Sequence, residues 1–149
     1  MEELLELRGY IERQQYPAAL NLIEEMEEMS REDKINKIGS FIKILLIHLI
    51  KRQAEKRTTR SWETSIFNAL FEILRVNKRR KAGGFYMSND EIRDTIEDYY
   101  PTALRYAALE AFGGRYNPKE LETFFDPDRT KQEALDSIIA TFQQGTVAI

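Results

Sequence analysis

Apolar side chains recur at spacings of three and four residues along nearly the whole chain, and no run of alternating β-branched residues is long enough for a strand. The pattern predicts a first helix over about residues 2–14, with Leu4, Leu7 and Ile11 on one stripe, interrupted at Tyr16-Pro17. A second helix is expected from about Ala18 to Met29, with Leu22, Ile23 and Met26 inward and glutamates outward. Ser30 fits an N-cap for the next segment, helped by Glu32 and Asp33. The sequence leaves open whether residues 18–53 are one bent helix or two. The clearest helix is Arg31 to Glu55. Ile35, Ile38, Phe41, Ile42, Leu45 and Leu49 follow its period, while Ile44, Leu46, Ile47 and Ile50 make it apolar almost all round. Such a helix belongs at the centre of a core.

The basic connector Lys56-Arg57-Thr58-Thr59-Arg60 leads to Ser61, read as the N-cap of a helix over about 62–82. That helix carries Trp62, Ile66, Ala69, Leu70, Ile73 and Leu74 on one face. Its last turn is Lys78 to Lys81, and Gly83-Gly84 stops it. Ser88 or Asn89 caps a helix over about 90–98, and Pro101 suits the first turn of another over 101–112. The alanines of that helix (Ala103, Ala107, Ala108, Ala111) allow a neighbour close approach, and Gly113-Gly114 ends it. Pro118 opens a short helical turn to Phe125, and a last helix is expected over about Arg129–Gln144. The fold class is therefore all-α. We expect a single domain over residues 1–149, a multi-helix bundle of about six to eight helices around a central apolar helix at about 31–55.

Composition adds limits. The 149 residues contain no cysteine, which excludes a disulfide framework and any cysteine-ligated metal, and a cytoplasmic setting is expected. The start Met-Glu-Glu-Leu-Leu-Glu is acidic where a secretory signal would be basic. The most apolar stretch, Phe41 to Ile50, is too short to span a bilayer, so no membrane partner is expected. Net charge is −3, but its distribution is uneven. Residues 1–33 hold ten acidic and three basic side chains, residues 34–82 three and thirteen, and residues 83–149 twelve and six. A strongly basic middle lies between two acidic thirds.

Catalytic signatures are absent from this sequence: no glycine-rich phosphate loop, no zinc-protease helix, and one histidine only. No cofactor and no metal site is expected. Asp126-Pro127-Asp128 lacks the spacing of a calcium loop and reads as a turn and helix cap. His48 shares a stripe with Phe41, Ile44 and Leu45 on one side and Lys51, Arg52 and Glu55 on the other, at the edge where core meets surface. It reads as a half-buried histidine bonded to a neighbouring helix, with a ligand or pH-sensing role as the sharper alternative. Trp62 reads as a core anchor whose indole N–H finds a partner, or as a stacking platform. Lys51, Arg52, Lys56, Arg57 and Arg60, with Lys78, Arg79, Arg80 and Lys81, are candidates for tracking a phosphate backbone. The plainer reading is a solvated or internally paired surface.

Three segments carry a family resemblance. Asn21-Leu22-Ile23-Glu24-Glu25-Met26-Glu27-Glu28-Met29 resembles the Asn-Leu-hydrophobic-Glu-Glu-Ile-Glu element of a bacterial family, domain of unknown function 29. Ile44-Leu45-Leu46-Ile47-His48-Leu49-Ile50-Lys51 is similar to its Leu-Leu-Met-His-Leu-Leu-Lys core, and Arg60-Ser61-Trp62 with Ile66 to its Arg-Ser-Trp-x-x-x-Ile motif. Leu121 to Asp128 is a weaker echo of its closing segment. Arg52 stands where the family often has an aromatic residue, and residues 77–90 match poorly. The resemblance implies an all-α fold and small cytosolic proteins, and no activity. Because its motifs fall on neighbouring helices, Glu25, His48, Lys51, Arg60 and Trp62 form a candidate polar cluster, favoured as structural. The leading functional expectation is a non-enzymatic module that binds an unknown protein partner or a second copy of itself, through the basic middle or the alanine-rich helix. The alternatives are nucleic-acid binding through residues 51–81 and an enzyme or metal site at His48 with Glu25 or Glu28.

Overall fold

Helix α1 (Glu2–Glu12) closes on a left-handed residue, Gln14 at φ 61°, before the chain reverses. The Gln14 N–H donates to the Ile11 carbonyl and the Gln15 N–H to the Tyr10 carbonyl, the paired bonds of a Schellman turn. From Ala18 to Ile38 the sequence has no proline or glycine and is rich in strong helix formers. In the computed structural model, which describes residues 2–79 and 83–147, these residues belong to one 40-residue helix, α2 (Tyr16–Glu55). Ser30 lies inside α2 and caps nothing: no helix breaker sits near it, and the second and third expected helices are continuous.

The remaining helices are α3 (Arg60–Asn77), α4 (Asn89–Glu110), the one-turn α5 (Pro118–Leu121) and α6 (Pro127–Gln144). Short 3₁₀ turns occupy Ala111–Gly114 and Glu122–Phe124. No strand occurs among the described residues, only the isolated bridge between Lys78 and Phe85. The C-terminal half of α2 is central, as expected, packing on α3, α4 and α6. Ile38, Ile42, Leu45, Leu46, Leu49 and Ile50 of α2 are all buried. They meet Ile66, Leu70 and Ile73 of α3, Ile92, Ile96 and Leu104 of α4, and Leu135 and Ile138 of α6 in one cluster. Gly39 brings α4 close: a Cβ built there would lie 2.5 Å from the Tyr99 ring. The alanines at 103, 107, 108 and 111 are buried in the same core, so the chain itself uses their close approach.

Four other expected boundaries move. Thr59, not Ser61, caps α3, its hydroxyl accepting the Trp62 N–H at 3.0 Å. α3 ends at Asn77 rather than near 82. There the buried Asn77 side chain accepts the Met87 N–H (2.8 Å) and donates to the Met87 carbonyl (3.4 Å), folding the chain back. Lys78 and Arg79 therefore follow the helix, and Arg80 and Lys81 lie outside the described residues. Ser88 forms a capping box with Glu91 at the start of α4. α4 then passes through Pro101 without ending, because its buried face runs on both sides of the exposed proline. It ends at Glu110, before the glycines, and Asp126 caps α6 as read from the sequence.

The core stops at Ile38. Between Leu20 and Lys37 no residue is buried, and α1 has no buried residue at all. α1 and the first half of α2 pack on each other as a helical hairpin. Its attachment to α4 includes Arg31, which donates to Glu91 (2.6 Å) and to the Tyr86 carbonyl (3.4 Å).

Candidate functional site

The last turns of α2 send one polar side chain after another to different neighbours. Lys51, only 5% exposed, reaches Glu110 of α4 at 3.6 Å and lies 4.7 Å from the centre of the Trp62 ring. Arg52 donates to Glu63 of α3 (2.9 Å) and to Glu133 of α6. Gln53 donates to the other Glu133 oxygen (2.5 Å) and accepts from Thr130 (2.8 Å). Glu55 accepts the Phe112 N–H (3.2 Å), holding the left-handed turn after α4, and pairs with Arg57 at 2.9 Å. Together these bonds form a polar collar that ties the end of α2 to α3, α4 and α6.

Charge is matched within the collar. Burial opposes the charged form of Arg52, but the bonds and charges of Glu63 and Glu133 outweigh it and hold its pKa above the ordinary value. The Thr58 hydroxyl, donating at 2.6 Å, and Arg52 hold the Glu63 carboxyl below its ordinary range. Trp62 meets a second cation, since the Arg57 guanidinium is also 4.7 Å from its centre. His48 sits one turn before Lys51, half-buried, with Nδ1 enclosed and lacking a hydrogen-bond partner among the described residues. The bond to a neighbouring helix expected of His48 is not made at Nδ1 among the described residues. Burial, then the Lys51 charge, pushes the imidazole pKa down, with Glu110 pulling weakly the other way.

The sequence-derived cluster is brought together only in part. His48, Lys51 and Trp62 share the collar, but Glu25 lies on α2 some 23 residues before His48, about 35 Å along one straight helix. Arg60 is exposed at the first residue of α3. Among the phosphate-tracking candidates, Lys51 is buried and Arg52 and Arg57 are paired with carboxylates. Lys56, Arg60, Lys78 and Arg79 are exposed, with Arg79 over the Tyr86 ring at 5.9 Å. The collar's other members, Gln53, Glu63, Glu110, Thr130 and Glu133, were not singled out by sequence reasoning, and Glu55 entered only as a residue on the His48 stripe. Glu133 lies 81 residues from Arg52, so no local spacing marks that pair. Glu55 and Glu63 flank the connector 56–60, and that closeness was the one available signal.

Among the described residues no three His, Asp or Glu side chains gather where they could hold a metal ion, and no helix is long and apolar enough to cross a membrane. No curated protein and no solved structure matches the chain. The family model "Domain of unknown function DUF29" matches residues 18–120. That span runs from the first turn of α2, through the collar's Lys51, Trp62 and Glu110, to α5, and the chain belongs to the DUF29 family.

Proposed function

We propose that this protein is an interaction module: one helical domain, centred on α2, that presents the α1–α2 hairpin to a protein partner. The observation that carries the reading is the hairpin's surface. Leu4, Leu5, Ile11, Tyr16, Leu20 and Met29 are all exposed there, with Leu5 at 67% and Met29 at 63%. Isolated exposed apolar residues are ordinary, but six on one projecting hairpin, with α1 burying nothing, resemble a binding surface. The surfaces first favoured from the sequence have less left to offer. The alanine stripe packs inside the core, and the buried or paired cations of the collar are engaged within the fold. The polar collar on this reading is the brace that keeps the body rigid beneath the hairpin.

The test is a native pull-down from lysate with and without nuclease, comparing wild type, Leu5→Glu/Leu20→Glu, and Asp94→Lys/Asp98→Lys on the exposed face of α4. The reading expects a stoichiometric protein retained by wild type and the α4 variant, and lost from the hairpin variant while its far-ultraviolet circular dichroism stays helical. Retention by all three would sink it. Recovery that depends on intact nucleic acid would instead favour the exposed cations around residues 56–79.

A further inference from the structure

We infer that the hairpin's partner is a basic amphipathic helix; the inference rests on the interaction-module reading and names the partner's chemistry. Residues 1–33 carry ten carboxylates and three arginines. Each arginine is already engaged: Arg8 with Glu12 at 2.9 Å, Arg13 over the Tyr10 ring at 5.6 Å, and Arg31 with Glu91 at 2.6 Å. Glu24, Glu25, Glu27 and Glu28 are exposed and have no ion-pair partner among the described residues.

Their placement is ordered. Tyr16, Leu20, Glu24, Glu27 and Glu28 follow the helical spacings of one face of α2, and all five are exposed. That face is apolar at the hairpin's tip and carboxylate for the next two turns. A partner that covers it must bring apolar side chains to one end and cations to the rest, which a helix does by setting residues three and four apart on one side. Opposite charge would speed encounter and fix register. The same carboxylates repel a nucleic-acid backbone or an anionic lipid surface. They also oppose pairing of two such hairpins, since like charges face to face are costly.

The probe is a fluorescein-labelled helical peptide of about five turns built from leucine and lysine, with a leucine–glutamate twin, titrated with the full chain and read by anisotropy. The lysine peptide is expected to bind and the glutamate peptide not to. Glu24→Lys/Glu27→Lys/Glu28→Lys is expected to weaken binding about tenfold or more, and Asp94→Lys/Asp98→Lys by less than about twofold, with the affinity falling in salt. Equal binding of both peptides, equal loss in both charge-reversed variants, or no binding of either peptide overturns the inference. If both peptides bind alike and Leu5→Glu/Leu20→Glu removes both, the hairpin still docks an apolar partner and only its charge preference is refuted. If binding ignores every hairpin substitution, the interaction-module reading falls with it.

Discussion

At the end of α3 one side chain holds the chain reversal. Asn77 looks like any polar residue near the end of a helix, yet it is fully buried and bonds both the N–H and the carbonyl of Met87. Replacing it by alanine strands two buried backbone groups, so Asn77→Ala should cost about 2–3 kcal/mol in urea melts. A loss below about 0.5 kcal/mol, the scale of an ordinary surface change, would show that water or relaxation satisfies Met87 instead. His48 was legible as an edge residue, but its unbonded Nδ1 depends on what the neighbouring helices fail to offer. Because burial and Lys51 lower its pKa, the unfolded chain takes up the proton first, near the ordinary value of 6.5. Its contribution is therefore constant above that pH and turns against the fold as pH drops below it. His48→Asn should flatten the loss of stability as pH falls below about 6.5, read from melts of both proteins. Parallel curves would contradict the low pKa.

Helices were legible as helices, and Ser88 and Asp126 as their caps; other ends were not. The expected break at Ser30 rested on capping chemistry, which is optional where strong helix formers continue on both sides. The split at Pro101 failed for a different reason. Proline removes one backbone bond and strains a turn, but Ile96, Tyr100, Ala103 and Leu104 bury a continuous face on both sides of it. Tyr100 is fastened further by donating to Glu122 at 2.9 Å. Packing thus offsets a local penalty that remains in the native state. Pro101→Ala should restore the bond to the Glu97 carbonyl and raise stability by about 1–2 kcal/mol, visible as a higher Tm. A lower Tm would mean that the proline's bend is needed to seat α4 on α2.

For the whole molecule, the central apolar helix and the all-α class could be read from periodicity, and the family from three short motifs. The division of labour along α2 could not. Its C-terminal half is the core's axis, and its N-terminal half is a strut carrying α1 outward. The two halves differ in what lies beside them more than in their own pattern. The collar was equally hidden, because Arg52 meets Glu133 only after four helices have packed. Charge segregation was visible from the start, but its meaning shifts with the fold. Within the basic middle, Lys51, Arg52 and Arg57 are engaged by the collar, whereas the acidic glutamates of residues 24–28 stay free of ion pairs among the described residues.

Amide hydrogen exchange tests this account most directly. The free protein would be compared with the complex recovered in the pull-down, or with the leucine–lysine peptide complex. Residues 2–33 should exchange fastest among the helices of the free protein, since none but Ala19 is buried there. On binding, that same span should gain protection while α3, α4 and α6 change little. Protection gained on the body instead, with residues 2–33 unchanged, would contradict the assignment of the hairpin as the binding surface.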